Sequence, residues 1–126
     1  MKLWKTVFAL AAAFNLLVGL PLLLAPAAFL KLAGGSTSPD LLSAQMSGLL
    51  IAVFGVGYAM IAVNPVANRP IAWLGVFGKT PLILLVWLQV RAGHAPPSSL
   101  GLPAVDLVFA ALFLAFLLRT RRMVAT

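Results

Sequence analysis

The chain has 126 residues, 63% of them hydrophobic and 9% charged, with a formal net charge of +7. A soluble domain carries about 25% charged residues, so this composition and a mean hydropathy of +1.10 exclude that class and point to an integral membrane protein. Cysteine is absent, and one histidine with two carboxylates is too little for most protein-built metal sites, so disulfides, thiolate chemistry, haem attachment, S-acylation, metals and cofactors are not expected.

A bilayer core is crossed by about 20 apolar residues, and the sequence holds four such runs. The first, about residues 4–24, follows Lys2 and Lys5 and opens like a signal peptide, with a faint small-residue cleavage pattern at Ala25-Pro26-Ala27. The run outlasts a usual h-region, and we expect an uncleaved first span that doubles as the insertion signal. Trp4 falls at belt depth, and Pro21 lies near the far end. Pro26 and Gly34-Gly35-Ser36 break the chain, and the piece between them is too short to span. It is expected to lie flat at the interface, with Lys31 snorkelling.

A second span is expected at about residues 39–63. Ser38-Pro39-Asp40 is its start signal, with Ser38 as N-cap, Pro39 at the first helical position and Asp40 in the first turn. Asn64-Pro65 ends it, and the short turn to Arg69 predicts that the second and third spans are antiparallel neighbours. The third span, about residues 70–90, carries Trp73 and Trp87 like two aromatic belts, and Tyr58 of the second span reads as a further interface anchor. Arg91 to Ser99 is a Gly/Pro/Ser loop in which His94 is solvated. The fourth span, about residues 102–118, opens at Pro103 and stops at Arg119, Arg121 and Arg122.

The expected fold is therefore all-α, one domain over residues 1–126: an up-and-down integral membrane bundle of four transmembrane helices. Lys2, Lys5, Arg69, Arg119, Arg121 and Arg122 fall on one side and only Lys31 and Arg91 on the other. The positive-inside rule then puts both termini in the cytoplasm of a cell inner membrane. These flanking cations are explained by topology and by anionic headgroups rather than by nucleic acid.

Helical periodicity gathers the polar and small residues onto one face of each span. Gln45, Gly48, Ala52, Gly55 and Ala59 share an arc of about 80°, a small-residue seam that lets helices approach closely. Gly75, Gly78, Lys79, Leu82, Val86 and Gln89 share about 100°. Phe8, Asn15, Gly19 and Leu22 form a third face, and Asp106, Ala110, Phe113 and Leu117 a fourth. Turning all four inward gives a polar chamber open to the outside, with Lys79 and Asn15 at its floor and Gln45, Gln89 and Asp106 in the outer third. On span lengths alone Lys79 and Asp106 differ by about 10 Å in depth, so a water-bridged pair is as reasonable as a direct one. Pro81 frees the carbonyl of Phe77 and predicts a bend beside Lys79, with Thr80 available to that carbonyl.

Two tempting motifs fail. Gly78-Lys79-Thr80 ends like a P-loop, but Trp73 stands where the first glycine belongs and no strand precedes it. Val53-Phe54-Gly55 and Val76-Phe77-Gly78 hint at an inverted repeat, but three shared residues in apolar helices are what chance supplies.

Across nearly the whole chain the pattern runs Asn15-x-x-x-Gly19, Pro26, Gly55-x-Gly57-Tyr58, Pro65-x-x-x-Arg69, Leu74-Gly75-x-x-Gly78-Lys79 and Asp106-x-x-Phe109. It resembles small four-helix bacterial membrane proteins of the loosely DoxX-like group. The resemblance implies a four-helix bundle in an accessory or small-molecule-handling role, and it supplies no activity to carry over. The cysteine pairs and metal ligands that would imply redox chemistry are missing here.

Three functional expectations follow. The first is a binding or accessory protein. Lys79, Asn15, Gln45, Gln89 and Asp106 would line a site for an amphipathic small molecule or lipid, or the chain would dock a membrane-protein partner or a second copy. The second is a small oligomeric transporter or channel in which Lys79 handles anions or protons. The third, an enzyme acting on a lipid, has only Lys79 with Asp106 as an acid–base pair. Each polar position also has a structural reading: Lys79 paired with Asp106, Asn15 as interhelical glue, and Asp40 and Asp106 as complements to their helix dipoles.

Overall fold

The computed structural model describes residues 1–32 and 40–123. Those residues are helical, without strands, and four of the helices are long and apolar enough to cross a membrane. The chain divides into two compact units, Met1–Val63 and Asn64–Thr126.

In the first unit α1 (Lys2–Leu24) packs on α3 (Leu41–Val63), with the short α2 (Pro26–Leu32) between them in sequence. The α1 ladder runs through Pro21, and its last carbonyls are capped when the Ala25 N–H donates to Pro21 at 2.8 Å. Pro26 has no N–H to continue the ladder, so the chain turns there and starts a new helix. None of the α2 residues is buried, as expected for a seven-residue helix too short to span.

The pair is antiparallel: Phe8 packs on Tyr58 at one end, and Gln45 reaches Leu23 at the other. On α1 the buried positions are Phe8, Ala11, Ala12, Asn15, Gly19 and Leu22, and on α3 they are Gly48, Ala52, Gly55, Tyr58 and Ile61. The predicted α1 face is all buried, and of the predicted α3 seam Gly48, Ala52 and Gly55 are buried while Gln45 and Ala59 are half-buried. Tyr58, expected as an interface anchor, is 1% exposed. Its ring lies 6.4 Å from that of Phe8 and 6.2 Å from that of Phe54, because the seam brings α1 over it.

The N-terminus of α3 differs from expectation by its capping residue. Ser38 and Pro39 lie outside the described residues. Asp40 itself is the cap. Its carbonyl accepts from the Ala44 N–H at 3.1 Å, and its carboxylate accepts the Ser43 N–H at 3.1 Å and the Ser43 hydroxyl. This satisfies helix-terminal amides that would otherwise be orphaned. The Ser43 hydroxyl, and then the Ser43 amide, hold the Asp40 carboxyl below its ordinary value of 3.8. A carboxyl depressed in the folded state stabilises it above the unfolded value, and that contribution is lost as pH falls through the folded value. The start of α3 should therefore loosen below pH 3.8. In Ser43→Ala, NMR titration of the Asp40 carboxyl should move back up toward its ordinary value; an unchanged titration would remove Ser43 as the cause.

In the second unit α4 (Arg69–Arg91) packs on α5 (Gly101–Arg119). Asn64 starts the unit by accepting the Ala67 N–H on its side chain at 3.2 Å and the Asn68 N–H on its carbonyl at 3.1 Å. Pro70 follows at a position where a missing amide costs nothing. Gly93 ends α4 in the left-handed region, at φ 78°. There the Gly93 N–H donates to Val90 at 3.1 Å and the His94 N–H to Gln89 at 2.9 Å, the paired bonds of a Schellman motif.

The predicted loop is shorter than its composition suggests. Pro97–Leu100 forms a 3₁₀ turn that feeds directly into α5, so the apolar helical segment runs Pro97–Arg119. Pro97 has the fixed φ and the dispensable amide that suit a first helical position, so the proline read as loop is the start of the helix. Pro103, expected to open the span, is instead buried inside α5.

Candidate functional site

The buried positions of α4 are Ala72, Gly75 and Lys79, a stripe at i, i+3 and i+7. Facing it on α5 are Pro103, Ala110, Phe113, Phe116 and Leu117. Asp106 stands one turn before Ala110, on the same face. The stripe therefore carries a lysine against the only carboxylate of α5. The two form a direct ion pair between Lys79 Nζ and Asp106 Oδ1, with the side chains 7% and 13% exposed. The ammonium also lies 5.8 Å from the centroid of the Phe109 ring, within cation–π range. Charge pairing and an aromatic face replace the water that a buried ammonium would otherwise need.

The ion pair is direct because the helical segment that holds Asp106, counted from its 3₁₀ turn, starts at Pro97, earlier than expected. From the Pro97 end of the helical segment Asp106 is about nine residues in, and Lys79 is about twelve residues from the end of α4. In antiparallel helices that leaves a depth difference of roughly 4–5 Å, within reach of a lysine stem. Asp106 accordingly sits near the middle of its segment, as Lys79 does in α4, and not in an outer third. The helix α4 runs Arg69–Arg91 with Pro81 inside it, and Thr80 is exposed.

Two members of the predicted Lys79 face depart from it. Gly78 is exposed while Gly75 is buried, so only the latter faces α5. Gln89 is exposed, and its Oε1 lies 3.0 Å from His94 Nδ1. The Schellman turn folds His94 back over the last turn of α4, and the Gln89 side chain meets it there. Nearby, the Arg91 guanidinium lies over the Trp87 ring at 5.1 Å.

The other two predicted site residues belong to the first unit. The Asn15 Nδ2 donates to the Ile51 carbonyl at 3.0 Å, and the Gln45 Nε2 donates to the Leu23 carbonyl at 3.0 Å. Both bonds cross from one helix of the pair to the other. Such a bond contributes about 0.6 kcal/mol within a membrane, so both residues are fasteners of the α1–α3 contact. Among the described residues no buried side-chain nitrogen or oxygen lacks a hydrogen-bond partner, and no cluster of three potential metal ligands occurs.

Sequence reasoning missed a second polar centre, at the other end of the α4–α5 pair. Arg69 Nε donates to Thr120 Oγ1 at 2.9 Å, and the same guanidinium donates to the Leu117 carbonyl. Thr120 is 3% exposed and donates its hydroxyl to the Phe116 carbonyl at 2.7 Å. The first residue of α4 thus caps the last turn of α5, where orphan carbonyls and the negative end of the dipole favour a cation. The only sequence signal is an arginine before a span-opening proline and a threonine among stop-transfer arginines, and neither specifies the other. No protein-family model, curated protein or solved structure matches the chain.

Proposed function

We propose that the chain is a small multi-pass protein of the bacterial inner membrane that binds an amphipathic small molecule or lipid at the Lys79–Asp106 pair. The observation that carries this reading is a lysine 6% exposed near the middle of an apolar helix, paired with a largely buried carboxylate of its neighbour. Ionisable groups at such positions are costly and mark binding sites or ion paths. A carboxylate, phosphate or carbonyl headgroup would exchange with Asp106 for the ammonium, while the exposed leucines of α4 and α5 accommodate an acyl chain. Asn15, Gln45 and Gln89 are better assigned to holding the helices and the loop than to the ligand.

Mass spectrometry of the native protein in gentle detergent tests this reading, since it reports bound molecules, copies and partners together. Wild type should retain an acidic or carbonyl-bearing amphiphile that the double variant Lys79→Met/Asp106→Leu, folded by circular dichroism, does not. Equal retention in both would overturn the proposal. The same pair favours a second reading, a proton- or anion-handling transporter, because ionisable groups buried in apolar helices also line ion paths. Lys79-dependent flux in liposomes, with no retained ligand, would select it.

A further inference from the structure

At the end of α5 the structure holds cations in an ordered arrangement, and none of them is in an ion pair among the described residues. Arg119 is the last residue of α5, and Arg121–Met123 forms a 3₁₀ turn immediately after it. Arg119, Arg121 and Arg122 are all exposed. Thr120 between them is buried and fixes both sides. Its hydroxyl joins Arg69 to the Phe116 carbonyl, and its own carbonyl accepts the Met123 N–H at 3.0 Å. The arginines are therefore presented from a pinned turn. The sequence has two acidic side chains: Asp106 is committed to Lys79, and Asp40 belongs to the first unit. Among the described residues of the second unit, no acidic side chain pairs with Arg119, Arg121 or Arg122.

We infer that Arg119, Arg121 and Arg122 form a headgroup site for anionic phospholipid, built by Thr120 and Arg69 as positioning residues. The inference rests on the membrane-spanning reading of α4 and α5, and not on a ligand at Lys79. Charge complementarity and the setting select the occupant. Three exposed arginines lie at the end of an apolar helix, with Leu118 and Met123 exposed beside them at 61% and 56%. Apolar side chains interleaved with cations match the acyl–headgroup boundary.

The test uses the full chain reconstituted in nanodiscs of phosphatidylcholine with a minor fraction of phosphatidylglycerol, followed by mass spectrometry of the lipids retained on detergent extraction. Wild type should enrich phosphatidylglycerol over phosphatidylcholine, and each arginine should contribute about fivefold. Arg121→Gln/Arg122→Gln should abolish most of the enrichment, Arg121→Lys/Arg122→Lys should keep most of it, and inorganic phosphate should not compete. Thr120→Val should lower enrichment while the helical spectrum is retained. The loss caused by Arg121→Gln/Arg122→Gln should be the same in the wild-type and the Lys79→Met/Asp106→Leu background, which separates this site from the one proposed above. Wild-type enrichment in the glutamine variant overturns the inference. So does a lysine variant as weak as the glutamine one, since the effect would then not be charge. Full enrichment in Thr120→Val overturns the built site and leaves only unpositioned charge. Failure to incorporate into nanodiscs would instead sink the membrane-spanning reading.

Discussion

Lys79→Met should destabilise the protein by about 3–5 kcal/mol, because it leaves the Asp106 carboxylate buried without its cation. The carboxylate is held on α5 by a short side chain, 13% exposed, and cannot reach water by itself. Asp106→Leu leaves the opposite remnant, an ammonium on a four-carbon stem that can snorkel and remain over Phe109. Its cost should be smaller, about 1–3 kcal/mol. The double variant removes both charges and both desolvation costs, and should return to within about 1–2 kcal/mol of wild type or exceed it, since apolar replacements of buried ion pairs are often neutral or stabilising. A double-mutant cycle by denaturant titration in mixed micelles measures all three differences. A neutral Lys79→Met would mean that Asp106 already meets water, and the buried pair would no longer describe the site.

That asymmetry shows what the sequence could and could not specify. The four helices were legible to within a residue or two in most places, because uninterrupted apolar runs bounded by proline, glycine and arginine leave few alternatives. The α1 face of Phe8, Asn15, Gly19 and Leu22 came through intact, since a helix turns 100° per residue whatever it packs against. The Lys79–Asp106 contact was within reach but mis-scaled. Pro96-Pro97-Ser98-Ser99 has loop composition, and only the resulting 3₁₀ turn shows that Pro97 starts a helix and carries Asp106 deeper. Gln89 and Gly78 failed for another reason. Periodicity gives an angle, but a Schellman turn redirected Gln89, and the contact of α4 with α5 is narrow enough to leave Gly78 uncovered. Arg69 with Thr120 was not legible at all. That bond joins residues far apart in sequence, and neither residue type announces a partner.

Gly48→Ala should cost about 2–4 kcal/mol, a large effect for a single added methyl group. A Cβ at Gly48 would lie 2.6 Å from the Leu23 backbone nitrogen, 2.8 Å from the Gly19 carbonyl oxygen and 2.9 Å from the Leu22 carbonyl carbon. All three are backbone atoms, so no rotamer change relieves the clash, and α1 must move away. Overpacking of this kind costs about 1–3 kcal/mol. The same movement stretches the Asn15–Ile51 and Gln45–Leu23 bonds, each worth about 0.6 kcal/mol in lipid. Gly19→Ala should behave alike, since its Cβ would meet the Ala52 nitrogen at 2.6 Å and the Gly48 oxygen at 2.8 Å. At Gly55 the nearest atoms are the Leu16 side chain at 3.0 Å and Asn15 Cβ at 3.2 Å. Leucine can yield there, so Gly55→Ala should be milder. Gly101, with nothing within 4 Å of its added Cβ, is the control, where alanine should gain about 0.5–1 kcal/mol through backbone entropy. The expected order of stability is therefore Gly101→Ala above wild type, then Gly55→Ala, with Gly19→Ala and Gly48→Ala lowest. If Gly48→Ala instead unfolds no earlier than Gly101→Ala, the backbone crossing of α1 and α3 is not what holds the first unit together.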